Sequence, residues 1–176
     1  MKSEITNPKD NQELLEDINF VLLQNGCDEL TFIPRIEGTY LVETEDVFEA
    51  LKNKRILIVD DEPNLIRAEF AALYVATGGS AMLLVATNET NEELARKILA
   101  IEPEILLLDG NMGVIYGPTV AQELLKQGYD FKIFAHTHGS TRDFRKVGVE
   151  DKIEKGLPRL LEDLTMKLHP RYKTDI

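Results

Sequence analysis

From Lys54 onward the chain alternates five times between a short strand-like run and an amphipathic helical pattern. The strand-like runs are 55–59, 81–86, 104–108, 131–136 and 151–154; the helical patterns lie at about 63–76, 90–101, 117–127, 140–147 and 157–168. Ile56-Leu57-Ile58-Val59 and Ile105-Leu106-Leu107-Leu108 are continuously aliphatic, as parallel strands buried on both faces are. Regular βα alternation with short connections implies right-handed crossovers and a parallel sheet covered on both sides. The expectation is a doubly wound α/β domain with a five-stranded parallel sheet. Turn signals agree. Gly78-Gly79 follow the first helical pattern and Gly128 the third, while Gly156-Leu157-Pro158 open the last. Pro158 suits a first helical turn, and Thr90 with Glu93 resembles a capping box.

Residues 1–53 form a separate extension ahead of this domain, which spans 54–170, and 171–176 make a short tail. At 176 residues the chain is one domain plus an extension, by the usual ~150 residues per domain. Leu14, Leu15, Ile18, Val21 and Leu22 share one face of a helix from about Asn11 to Gln24, stopped at Asn25-Gly26. Two strand-like stretches follow, Leu30–Ile33 and Thr39–Val42, joined through Pro34 to Gly38, and Thr44 to Leu51 reads as a short helix. The extension is therefore expected to be a small α+β appendage.

Composition narrows the function classes. Residues 1–54 carry 12 acids against 5 bases, and 55–176 carry 19 against 15, for a net charge of −11. An acidic extension argues against direct nucleic-acid or anionic-membrane binding. No apolar stretch is long enough to span a membrane, and Met1 to Asn7 lack a signal-peptide core. Cys27 stands alone, which excludes an internal disulfide.

The first strand ends in Asp60-Asp61 and the third run in Asp109. Ligand sites of open parallel sheets gather at the carboxyl ends of the strands. Three carboxylates converging there would repel and raise one another's pKa unless a cation sat among them. A small hard cation such as Mg²⁺ takes carboxylate oxygens and keeps sites for a phosphate. Alone, Asp60 or Asp61 reads as a helix N-cap before Pro63-Asn64, Lys155 as a surface lysine and Thr137 as an ordinary strand residue.

Thr137 ends the fourth strand in Ile133-Phe134-Ala135-His136-Thr137, and Lys155 ends the fifth in Asp151-Lys152-Ile153-Glu154-Lys155. Two acids, an acid, a threonine and a lysine, each closing a successive strand, resemble the pattern of response-regulator receiver domains. The resemblance covers roughly residues 54–170. It implies a flavodoxin-like fold with strand order 2-1-3-4-5. It implies Mg²⁺ held by Asp61 and Asp109, by Asp60 through water and by the backbone carbonyl of Asn111. Asp109 is then the phosphoacceptor, taking a phosphoryl group from a histidine kinase, a phosphotransfer protein or a small donor. Lys155 would pair with one phosphoryl oxygen as a point charge and Thr137 would hydrogen-bond another. Met112 would fill the gap beneath the site, and Gly117 would open the third helix tightly.

Four positions depart from that pattern. Gly113 stands where the family usually has Pro, and Lys155-Gly156 where it has Lys-Pro, often cis. Lys152 replaces the aromatic residue that swings inward on activation, and His138 replaces a small residue bordering the water path. His136 and His138 flank Thr137, and one is expected packed and the other at the site rim, without forming a metal pair.

The sequence thus reads as a cytoplasmic receiver-type signalling protein, not a turnover enzyme. Its own chemistry would be at most self-phosphorylation from a donor and autodephosphorylation. Output would pass through protein–protein contact, a homodimer or the extension. One rival is a receiver-like adaptor that works without phosphorylation, favoured by Gly113, Lys152 and Gly156. The other is a haloacid-dehalogenase-like phosphatase, weakened because its two acids stand two residues apart whereas Asp60 and Asp61 are adjacent.

Overall fold

A computed structural model describes residues 8–172. The start Met1 to Asn7, read above as lacking a signal core, and the tail from 173 onward lie outside the described residues. The five parallel strands are β1 (Ile56–Asp60), β2 (Met82–Val85), β3 (Ile105–Leu108), β6 (Lys132–His136) and β7 (Lys152–Ile153). They lie in the order β2-β1-β3-β6-β7, which in units of the βα repeat is 2-1-3-4-5, as expected. The last strand is shorter than its sequence run, with only Lys152 and Ile153 paired to β6.

Side chains on successive strand residues alternate between faces, and each face has its own apolar layer. Ile56, Ile58, Ile105, Leu107 and Phe134 pack under α3 (Pro63–Thr77) and α7 (Arg159–Leu168). Leu57, Val59, Leu106, Leu108 and Ala135 pack under α4 (Asn91–Ile101), α5 (Gly117–Lys126) and the short α6 (Arg142–Lys146), which contributes Phe144. Local signals act as read. Gly78 takes a left-handed conformation at the end of α3, and the Thr90–Glu93 capping box starts α4. Pro158 sits at the N-cap of α7 and not inside its first turn.

Between β3 and α5 the chain makes a small hairpin that the sequence reading missed, β4 (Asn111–Met112) against β5 (Ile115–Tyr116). Gly113, at φ 66° in its two-residue turn, occupies a region closed to proline, whose ring fixes φ near −65°. Its signal was available: a Gly-x pair between short β-prone segments is a tight-hairpin pattern.

The extension departs most from expectation. The α1 helix (Pro8–Gln24) and α2 (Thr44–Leu51) form, but neither 30–33 nor 39–42 is a strand. The segment lies over the helical layer, where no sheet edge offers hydrogen bonds. Asn19 of α1 instead satisfies Leu30 through both its donor and its acceptor, at 2.9 and 2.8 Å. Thr39 to Val42 closes as a turn, with the Thr39 amide donating to the Val42 carbonyl and the Thr39 hydroxyl accepting from the Leu41 and Val42 amides. The extension is nevertheless part of the interior. Ile18, Leu22, Cys27, Ile36, Val42, Val47 and Leu51 belong to the same apolar cluster as Ile58, Phe70 and Leu164. The α1 helix packs on α3, and α2 packs on α3 and α7.

A polar clamp closes the far end of this layer. Buried Asp46 of α2 accepts from the Tyr172 hydroxyl at 2.5 Å and from the Arg171 guanidinium at 2.9 Å. The Tyr172 bond holds Asp46 below the usual carboxylate range against the opposing effect of burial, with help from Arg171 and His169. His169 Nε2 points at Asp46 and Glu49, 3.7 and 3.4 Å away. Its Nδ1 accepts from the Arg171 amide at 3.2 Å, which ties the ring to the chain beyond α7.

Candidate functional site

Asp60 closes β1, and Asp109 follows β3, hydrogen-bonding its amide back to Val59. Both continue the strand parity that points toward α3. Asp60 is fully buried and Asp109 nearly so, with Asp61 half-buried at the rim. One oxygen from each of the three carboxylates lies within 4.8 Å of the others. Asp60 does not cap α3 as a lone aspartate would; its Oδ1 accepts from the Glu62 amide at 2.9 Å, and Glu62 takes the N-cap position.

Lys155 reaches this cluster from beyond β7. Its Nζ lies 2.6 Å from Asp60 Oδ2 and 3.1 Å from Asp109 Oδ1. Burial alone would lower the lysine's pKa, but the hydrogen bond and charge of Asp60, joined by Asp109, raise it above the ordinary lysine range. Asp61 has no such counter-charge. Burial raises its pKa, its own backbone hydrogen bond opposes this, and the charges of Asp60 and Asp109 add to the rise. Three acids and one ammonium leave a net negative pocket of hard oxygens, the donor set Mg²⁺ favours.

The walls of the pocket are close backbone. A Cβ on Gly117 would collide with the Asp109 carbonyl oxygen and come within 2.9 Å of the Phe144 ring, so only glycine lets α5 start against the acid. The Gly117 amide donates to the Gly110 carbonyl at 3.0 Å. Gly113 places the β4–β5 hairpin over Asp61, whose Oδ2 is 3.8 Å from its Cβ position. Met112 is buried beneath, in the layer of α4 and α5. Thr137 follows β6, 3.7 Å from the Cβ position of Gly110, and its Oγ1 accepts from the Gly139 amide at 3.1 Å. The structure therefore brings Asp60, Asp61, Asp109 and Lys155 together, with Thr137 beside the loop that follows Asp109.

The two histidines part because β6 ends at His136 and the chain turns away beyond it. Strand alternation is not the cause, since it would set residues two apart on one face. His136 is fully buried, and His138 is exposed with its Nδ1 3.6 Å from Glu154. Lys152 pairs with Glu154 at 2.8 Å and reaches the Gly139 carbonyl at 3.4 Å, which ties the β7 end to the loop after Thr137. The peptide before Pro158 is cis.

Sequence reasoning overlooked Glu69 on α3. It lies in the buried stripe Ile66, Glu69, Phe70, Leu73, and a charge at an apolar position of an amphipathic helix was the available signal. Its Oε1 accepts from the Gly156 amide at 2.5 Å and its Oε2 is 3.0 Å from His136 Nε2.

At the level of sequence, no family model and no curated protein matches the chain. Solved structures do. A protein assigned as a response regulator from Chloroflexus aurantiacus is 22% identical, with a TM-score of 0.49 over 65% of this chain and 93% of that one. The signal receiver domain of a protein assigned as a LuxO repressor from Vibrio parahaemolyticus is 19% identical, with a TM-score of 0.44 over 65% and 94%. The BeF3-activated receiver domain of nitrogen regulatory protein C is 18% identical, with a TM-score of 0.46 over 70% and 99%. The functional reading rests on the geometry of the site itself.

Proposed function

We propose that this protein is a phosphoacceptor of receiver type, modified on Asp109 in the presence of Mg²⁺. The observation that carries the proposal is the bridging of Asp60 and Asp109 by Lys155 beside the uncompensated Asp61. An anionic nucleophile can meet an anionic phosphoryl group only where cations offset the repulsion. Asp61 and Asp109, with Asp60 and the Asn111 carbonyl, would hold Mg²⁺, whose chemistry is to neutralise and orient the phosphoryl oxygens.

In the transfer itself, a carboxylate oxygen of Asp109 bonds to phosphorus while the bond from phosphorus to the donor breaks. The donor leaves as acetate, as ammonia or as the imidazole of a kinase or phosphotransfer histidine. No general base is required, because a carboxylate nucleophile has no proton to shed. Lys155 leaves Asp60 to pair with a phosphoryl oxygen, and Thr137 donates its hydroxyl to another. The added charge is thereby read by the β6–α6 loop, and output follows through protein contact in the cytoplasm.

The test is intact-mass spectrometry after incubation with Mg²⁺ and acetyl phosphate or phosphoramidate, against an EDTA control. One Mg²⁺-dependent phosphoryl adduct, absent in Asp109→Asn, is the expected result. No adduct from either donor and no binding of beryllofluoride would overturn the reading in favour of an adaptor that works unmodified.

A further inference from the structure

A single buried carboxylate, that of Glu69, touches both segments that carry the phosphoryl-contacting groups. Its Oε1 accepts from the amide of Gly156, the residue after Lys155. Its Oε2 lies 3.0 Å from Nε2 of His136, the residue before Thr137. Glu69 is 5% exposed and His136 fully buried. Among the described residues, both ring nitrogens of His136 and Oε2 of Glu69 lack a partner of hydrogen-bonding geometry. A polar pair buried in an apolar layer costs stability unless it fixes something, and what it touches here is the backbone on either side of the site.

We propose that Glu69 is a positioning residue for the phosphoryl site, and that with His136 it couples the placement of Lys155 to that of Thr137. This rests on the reading of Asp109 as phosphoacceptor. Gly156 has a backbone φ of 93°; its carbonyl accepts from the Leu160 amide at 2.9 Å, and its amide, the donor of the Lys155–Gly156 peptide, is held by Glu69. With that peptide fixed, only the lysine side chain moves when its ammonium exchanges Asp60 for a phosphoryl oxygen. His136 transmits any shift of Glu69 along β6 to the next residue, Thr137. The first turns of α3 thereby meet the response at both loops, though α3 itself contacts no phosphate.

The experiment compares full-length wild type, Glu69→Leu, Glu69→Gln and His136→Leu by amide hydrogen exchange and by labelling kinetics with acetyl phosphate and Mg²⁺. Glutamine keeps an acceptor for the Gly156 amide, whereas leucine removes it. Glu69→Leu is expected to speed Gly156 amide exchange and to slow labelling, each by about tenfold, the scale of one lost hydrogen bond. Glu69→Gln is expected to restore both to within about twofold of wild type, and amides of α4 are expected to stay at wild-type rates in every variant. His136→Leu is expected to shift the Thr137 amide resonance while leaving Gly156 protected, and it carries the test if Glu69→Leu does not fold. Wild-type labelling by Glu69→Leu, or Glu69→Gln as slow as leucine, would overturn the positioning role while the phosphoacceptor reading stood. If wild type takes no label from acetyl phosphate or phosphoramidate and binds no beryllofluoride, that reading fails. The positioning is then decided by Gly156 exchange, and unchanged protection in Glu69→Leu would overturn it.

Discussion

Lys155 Nζ stands 2.6 Å from Asp60 Oδ2 across 95 positions of chain, and 3.1 Å from Asp109 Oδ1. This contact closes the sheet at its carboxyl end, because it joins β1 and β3 to the chain leaving β7. Removing the lysine leaves two buried carboxylates without their shared cation. Lys155→Met is expected to lose about 2–4 kcal/mol of stability by denaturant melts without divalent ions. The lysine's folded pKa lies above its ordinary value. Its contribution is therefore complete below the ordinary lysine pKa and lost as pH rises through the raised one. The gap between wild type and variant should persist through neutral pH and close only on the alkaline side; closure at neutral pH would contradict the bridge.

Asp61 behaves in the opposite sense. Its pKa is raised by burial and by the two neighbouring acids, so the ionised form costs stability above the folded pKa. Asp61→Asn in EDTA is expected to raise Tm by about 2–4 °C at neutral pH, with the gain fading as pH falls through the raised pKa and protonation relieves wild type. Adding Mg²⁺ is expected to stabilise wild type more than the variant. Equal stabilisation of both would remove Asp61 from the metal site.

Glu89 offers a separate acid-range test. This buried carboxylate accepts from the Thr87 amide and hydroxyl and from Lys97. Burial would raise its pKa, yet those bonds hold it down to about 2. The stabilisation is complete above the ordinary glutamate pKa and lost as pH falls from about 4.5 toward 2. Glu89→Gln is expected to be less stable than wild type by about 2–3 kcal/mol at pH 7, with the difference vanishing near pH 2.

The extension's place in the core predicts how the chain melts. Leu22→Ala is expected to cost about 2–4 kcal/mol, and to shift a single transition reported alike by probes in α1 and in the sheet. Two transitions, with only the first moved, would show that the extension folds by itself.

The sheet, its order and the crossovers were legible because buried parallel strands leave continuous aliphatic runs and each helix carries its own stop. The site was legible for a related reason: acids, a threonine and a lysine that each close a successive strand add nothing to a core, so their joint placement points to chemistry. The extension was half legible. The stripe on α1 is a helical signal, but 30–33 and 39–42 have strand-like composition and no edge to join, and only the tertiary arrangement reveals that. Glu69 was signalled only as an acid in an apolar stripe; what it holds, Gly156 and His136, comes beside it only in the fold. The hairpin at Gly113 was obscured by the expectation of a proline there.

Because α1 and α2 bury their apolar faces on α3 and α7, the boundary near Lys54 is a seam in sequence but not in energy. A fragment begun at β1 would uncover the apolar surface of α3 and α7 that α1 and α2 bury. Recombination with another chain would thus have to exchange residues 8–53 and the helices beneath them together. That makes the extension a heritable partner of one face of the sheet, and leaves the rim around Asp61 and the hairpin as the surface free to diversify.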